Sequence, residues 1–142
     1  MGILGIGLPD IPFLTAMMLR DIYTTSLNYG FEYDCLQERY FILLLIEGSV
    51  SYGERLCEID AKINQFIEHQ ELPALYAEDA QIDQTAKALS KALLAMKFLQ
   101  EIPLVGVLGG FYDAIYMKYV ASYSTLKYRR RYLYNKMQLK SR

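Results

Sequence analysis

Apolar residues recur along this chain at intervals near three, four and seven, the spacing of one face of an α-helix. The first such pattern follows Asp10 and has Pro12 in its first turn, where proline is tolerated. Its apolar members are Ile11, Leu14, Met18, Ile22 and Tyr29. We expect Gly30 to end this helix, because glycine is favoured just beyond a helix C-terminus.

Seven consecutive apolar residues, Tyr40–Ile46, stand in the second predicted helix. Such a run also fits a buried strand, but its flanks have helical spacing and its neighbours are not turn formers. Asp34 is expected to cap this helix. Gln37, three residues later, would complete a capping box by bonding back to the Asp34 backbone. We predict that this segment is the central helix of the core.

Three more helices are predicted after this segment. Gly48 and Gly53 bracket a break, the third helix runs from about Glu54 to Gln70, and the last two begin near Ala80 and Phe111. The expected buried stripe of the fourth helix is Ala86, Leu89, Leu93, Met96 and Leu99. No alternating strand pattern, internal repeat or linker is visible. The sequence therefore predicts an all-α fold, a compact bundle of four to five helices in one domain spanning residues 1–142.

The amino-acid composition limits the classes of protein to which the chain can belong. Of the 142 residues, 53% are apolar and 22% are charged, which is richer in apolar side chains than an average soluble domain at roughly 45–50%. No apolar run reaches the length of about 18 residues that a membrane-spanning helix needs. A spanning helix is therefore disfavoured, whereas shallow insertion of an apolar loop stays open. The opening Met1–Leu8 lacks the basic start and cleavage site of a signal peptide, so export is not expected.

Charge is distributed very unevenly. The first 113 residues hold all 16 acidic and seven basic residues, a net charge of −9, and the remainder holds eight basic residues, a net charge of +8. Such polarity favours a surface that meets an anionic partner or another copy of the chain. Two cysteines, Cys35 and Cys57, are too few for a disulfide framework or a zinc site, and they fit a reducing compartment.

Several short motifs occur in a characteristic order. They are Asp10-x-Pro12, Leu19-Arg20-x-Ile22, Tyr29-Gly30, Glu38, Ile102-Pro103-x-Val105-Gly106, Gly109-Gly110 and Tyr128-Arg129-x-Arg131. Together they resemble the EcsC family over nearly the whole chain, from about Leu8 to Leu133. Members usually continue on the N-terminal side, so the resemblance implies the C-terminal part of the family fold or a short variant. It further implies a bacterial helical protein linked in general terms to secretion and the cell envelope, but no reaction. Many relatives carry Asn where this chain has Asp113.

The glycine-rich apolar loop and the basic helix after it are the expected functional surface. Its members are Ile102, Pro103, Leu104, Val105, Val107, Leu108, Phe111, Lys127, Arg129, Arg130 and Arg131. The loop could dip into a bilayer while the basic helix contacts anionic headgroups. The structural alternative is that the glycines permit close helix packing and that the charges are a solvated helix end. The favoured hypothesis is a non-catalytic module at the cytoplasmic face of the membrane, with an anionic membrane surface or membrane protein as partner.

Enzyme signatures are incomplete. Neither serine of 48–53 stands in a Gly-x-Ser-x-Gly frame, and Ser124-x-x-Lys127 lacks partner motifs. His69 is the single histidine, so a histidine-based zinc site is not indicated. We assign no catalytic, cofactor-binding or metal-binding residue. The alternatives kept are an enzyme acting on a lipid or small molecule in an inter-helical pocket and a soluble homo-oligomer. Nucleic-acid binding is disfavoured because the body is acidic and no motif supports it.

A structural polar cluster of Asp10, Arg20 and Glu38 is also expected. Arg20 lies near the end of the first predicted helix and Glu38 near the start of the second, across a short turn. We expect these charges to orient the two helices rather than to catalyse a reaction.

Overall fold

The computed structural model describes residues 11–100 and 109–141, with side chains for 14–92 and 116–141. Within these ranges the regular elements are helices, and no strand occurs. The helices are α1 (Ile11–Asn28), α2 (Leu36–Ser49), α3 (Gly53–His69), α4 (Glu78–Gln100) and α5 (Gly109–Lys140). The chain is a compact all-α bundle, which confirms the predicted fold class.

Helix α2 is the centre of the bundle and packs against the other four helices. Phe41, Leu45 and Ile46 on this helix are almost completely buried. A helix that is apolar on most sides can be enclosed in this way without leaving apolar surface in water. The prediction that residues 40–46 form the central helix is confirmed.

The end of α1 is fixed by a left-handed turn at Gly30, whose φ is +82°. The Phe31 amide donates to the Ser26 carbonyl at 2.9 Å, and the Gly30 amide donates to the Leu27 carbonyl at 3.0 Å. These two bonds form a Schellman motif, which requires a left-handed residue at the position of Gly30. The Ser26 hydroxyl also donates to the Phe31 carbonyl at 2.8 Å. The turn therefore fixes the backbone of Phe31, and its ring packs against the core.

The start of α2 differs from the prediction. Cys35 is the N-cap residue, and it makes no side-chain capping bond. The capping box of Asp34 and Gln37 is therefore wrong, because the helix begins one residue later than that motif requires. Glu38 stands in the first turn of α2, where a negative charge complements the positive end of the helix.

Helix α5 has 32 residues and is about 48 Å long at 1.5 Å per residue. It packs along α1, α2 and α3. It approaches α2 closely at Gly48, where an added Cβ would lie 2.6 Å from the Tyr123 ring. Glycine fits there because even a methyl group would force the Tyr123 ring or the helix to shift.

Two predicted segments lie partly outside the described residues. The apolar loop falls mostly within 101–108, and the side chains of Phe111 and Asp113 are not described. In the expected stripe of α4, Leu89 is buried and Ala86 is exposed, so the stripe is wrong at Ala86. The side chains of Leu93, Met96 and Leu99 lie outside the described set.

Candidate functional site

Three polar side chains, Glu38, Tyr128 and Arg131, meet inside the bundle and are called the buried charge cluster below. Arg131 Nη1 lies 2.7 Å from Glu38 Oε2 and 2.9 Å from Glu38 Oε1. The Tyr128 hydroxyl donates to Glu38 Oε1 at 2.6 Å. The Glu38 side chain is 2% exposed and the Arg131 side chain 8% exposed. The carboxylate in α2 thus receives its hydrogen bonds from two residues that are one turn apart in α5.

Aromatic rings enclose this cluster. The Arg131 guanidinium carbon lies 4.0 Å from the centre of the Phe31 ring, 4.8 Å from that of Phe41 and 5.3 Å from that of Phe66. Arginine stacks well on aromatic faces because its planar cation is only weakly hydrated. Arg131 Nε is buried without a hydrogen-bond partner in the described part of the chain. The cation is therefore held by one carboxylate and by three rings.

Burial is the main cause that raises the pKa of the Tyr128 hydroxyl above its ordinary value of 10.0, and the adjacent negative charge of Glu38 raises this pKa further. The hydroxyl therefore stays protonated and remains a donor to the carboxylate. This arrangement orients α5 on α2, and all three side chains of the cluster are buried.

The expected cluster of Asp10, Arg20 and Glu38 is corrected by this geometry. Arg20 is exposed on α1 and lines a shallow depression with Leu19 and Tyr23. The carboxylate of Glu38 is instead paired with Arg131, which is 93 residues away in sequence. Asp10 lies outside the described residues. The short turn between α1 and α2 suggested a pair between neighbouring residues in sequence, but the side of α2 that carries Glu38 faces α5.

A second ion pair joins α3 to α5. Lys127, with its side chain 5% exposed, pairs with Asp60, and it also donates to Asn64 Oδ1 at 3.1 Å. The Tyr123 hydroxyl donates to Asp60 Oδ1 at 2.9 Å. Partial burial by itself raises the pKa of Asp60, but the hydrogen bonds from Lys127, Tyr123 and Asn64 outweigh it and hold this pKa below 3.8.

The four basic residues expected at the functional surface therefore fall into two groups that differ in burial. Lys127 and Arg131 are buried and neutralised inside the bundle, whereas Arg129 and Arg130 are exposed. The reason is geometric, because residues four apart share a helix face and the intervening positions point elsewhere. Lys127 and Arg131 are thus removed from the expected exposed surface.

The exposed basic residues of α5 form a larger set than the sequence motifs indicated. This set, called the basic outer face, is Lys118, Arg129, Arg130, Lys136 and Lys140, all of which are exposed. Three of them, Lys118, Lys136 and Lys140, lie outside the predicted functional surface, because the motif at 129–131 does not include them. The available signal was the spacing of Lys118, Arg129, Lys136 and Lys140, since successive intervals of 11, 7 and 4 keep residues on one side of a helix. No acidic residue follows Asp113 in the sequence.

A groove of about 700 Å³ opens between α2, α3 and α4. Leu44 and Phe66 are buried at its wall, and Gln81 is fixed there by donating to the Tyr40 carbonyl at 3.0 Å and accepting from the Tyr76 hydroxyl. Lysine, histidine and carboxylate side chains also line it, namely Lys62, His69, Glu47 and Glu71. His69 is exposed. Among the described lining residues there is no Ser, Thr or Cys that His69 could activate as a nucleophile.

Residues 11–100 and 109–141 contain neither a membrane-spanning helix nor a metal-binding cluster. No helix there combines the length and apolarity needed to cross a bilayer. No group of three or more His, Cys, Asp or Glu residues is arranged there to hold a metal ion.

The fold and the site define an all-α protein whose last helix is joined to the bundle by one buried and one partly exposed ion pair. The chain belongs to the EcsC protein family, whose model matches residues 1–133. This match confirms the resemblance drawn from the sequence motifs, and three residues of those motifs, Glu38, Tyr128 and Arg131, meet in the buried charge cluster. No curated protein and no solved structure gives a significant match to the chain.

Proposed function

We propose that this EcsC-family chain is a non-catalytic helical module that associates with the cytoplasmic face of the membrane and acts in the cell envelope or in secretion. The observation that carries the proposal is the basic outer face of α5. Its charge is of one sign, because the acidic residues all lie in the first 113 positions. Anionic lipid headgroups attract such a face with about 1 kcal/mol for each Lys or Arg near the surface.

The proposal assigns lipid contact to the exposed residues and not to the whole basic run. Arg129 and Arg130 are free to meet headgroups, whereas Lys127 and Arg131 already have carboxylate partners inside the bundle. The apolar segment 102–111, whose last three residues begin α5, remains part of the proposed membrane contact because of its apolar sequence.

Co-sedimentation with vesicles tests this function. The chain is mixed with vesicles of phosphatidylcholine alone, or with added phosphatidylserine, at low and high salt. Binding should need the anionic lipid and weaken with salt, because exposed charges are screened. Binding to neither vesicle type, or equal binding to both, would overturn the proposal.

Paired substitutions locate the charge contribution. Arg129→Gln with Arg130→Gln should lower vesicle affinity on the order of 25-fold, from about 1 kcal/mol for each charge. The matched control is Lys87→Gln with Lys91→Gln, two exposed lysines of α4, and it should bind like the wild type. Val105→Asp tests the loop separately, and a folded variant should lose binding if the loop enters the bilayer.

The groove supports a second candidate function, an enzyme acting on a lipid or small molecule. Its volume of about 700 Å³ falls in the range of small-molecule sites. Lys62→Ala with His69→Ala, two exposed residues of the groove wall, would be expected to abolish such an activity, whereas it would leave vesicle binding by α5 intact. If this groove variant kept full activity, the groove would be excluded as the active site.

A further inference from the structure

Helix α5 exposes a line of large apolar side chains next to its basic residues. Tyr119 is 53% exposed, Leu126 58%, Leu133 47% and Met137 68%. Their spacings of seven, seven and four place them on one side of the helix. This line is called the apolar stripe.

Basic residues border the apolar stripe on both sides. Lys118, Arg129, Lys136 and Lys140 form a row roughly 70° around the helix from the stripe, at 100° per residue, and Arg130 borders its other edge. An apolar band next to a cationic band is the pattern of helices that lie in the plane of a membrane interface.

The inward side of α5 is already fixed to the bundle. Arg131 is bound by Glu38 and Lys127 by Asp60, both on the side of the helix opposite the basic row. The apolar stripe and the basic row are therefore presented together on a helix that is folded before any partner arrives. Such preorganisation lowers the entropic cost of binding.

Building on the proposed function, we propose that α5 lies flat on an anionic bilayer, with the apolar stripe inserted at the boundary between headgroups and acyl chains. The basic row then contacts lipid phosphates alongside it. Charge complementarity favours an anionic bilayer over a second copy of the chain as the partner, because two copies of α5 would place their basic rows against each other. The inference adds an inserted apolar surface to the electrostatic contact of the proposed function.

A single introduced tryptophan tests the insertion, because the chain contains none. Leu126→Trp places the probe on the apolar stripe, and Leu75→Trp places a control probe on a fully exposed loop residue outside α5. On phosphatidylserine-containing vesicles, the probe at position 126 should shift its emission to the blue and be quenched by brominated acyl chains. The control probe should do neither.

Neutral substitutions test whether the stripe contributes to affinity. Leu126→Gln with Leu133→Gln leaves all charges in place and should weaken binding on the order of tenfold or more, because the loss of apolar burial is not replaced. The matched control is Leu75→Gln with Tyr52→Gln, which removes exposed apolar groups elsewhere and should leave binding unchanged. Far-ultraviolet circular dichroism checks that the helices persist in each variant.

The outcomes separate this inference from the proposed function. If the wild-type chain binds no vesicles, the proposed function fails, and the inference fails with it. If the wild-type chain binds anionic vesicles but position 126 is not quenched and the double glutamine variant binds normally, only the insertion is overturned. If the glutamine variant instead abolishes a concentration-dependent oligomer formed without lipid, the stripe is a contact between copies and the inference is again overturned.

Discussion

Arg131 in the last helix and Glu38 in the second helix form an ion pair in the protein interior, with Nη1 2.7 Å from Oε2. Both side chains are more than nine-tenths buried, so neither charge retains a full hydration shell. Removing two charges from water is costly, and only good geometry and further hydrogen bonds offset that cost. Here the Tyr128 hydroxyl and the aromatic rings around the guanidinium supply the additional contacts.

Breaking this pair should destabilise the fold strongly. Arg131→Met leaves Glu38 buried without its cation, and we expect a loss of roughly 3–5 kcal/mol in the free energy of unfolding. Arg129→Met is the matched control, because Arg129 is exposed two residues away, and it should change stability by less than about 0.5 kcal/mol. Urea denaturation followed by circular dichroism measures both. Equal midpoints for the two variants would contradict the role of the buried pair.

The close contact between Gly48 and Tyr123 predicts that adding a methyl group at position 48 destabilises the fold by steric overlap. Gly48→Ala places a Cβ about 2.6 Å from the Tyr123 ring, and overpacking of this kind costs roughly 1–3 kcal/mol. The higher helix propensity of alanine offsets up to about 1 kcal/mol of that cost. In a Tyr123→Ala background the clash is absent, so Gly48→Ala should become neutral or stabilising. A similar cost in both backgrounds, measured by thermal unfolding, would exclude this contact as the cause.

Asp60 predicts a loss of stability in acid. Its folded pKa lies below its ordinary value of 3.8, because hydrogen bonds to Lys127 and Tyr123 outweigh the effect of burial. A carboxyl whose pKa is lowered on folding contributes stability above its unfolded pKa, and this stability is lost as the pH falls through the folded pKa. The melting-temperature deficit of Asp60→Asn should therefore be constant at neutral pH and shrink below about pH 3.8.

The control for this titration is Glu68→Gln, which removes an exposed carboxylate from the same helix. Its melting temperature should follow that of the wild type across the same pH range. A deficit for Asp60→Asn that stays constant throughout the acid range would show that the carboxylate charge is not the stabilising element.

Local sequence signals were sufficient to predict the helices and the turn that ends α1. The seven apolar residues from Tyr40 to Ile46 predicted the buried helix, and Gly30 predicted the end of α1 because only glycine adopts a positive φ without strain. The capping box at Asp34 failed because a shift of one residue in the helix start removes its geometry. Arg20 was assigned to Glu38 for a related reason, since proximity in sequence was the only distance available.

The sequence by itself determined the helical class, the family and the concentration of positive charge after Asp113, because these depend on spacing and composition along the chain. Only the tertiary structure decided which charges are inside. Two basic residues of α5, Lys127 and Arg131, turn inward to carboxylates in α3 and α2, while Arg129 and Arg130 face outward. Helical periodicity fixes which residues share a face, but the partner that each face meets depends on contacts between segments more than 60 residues apart.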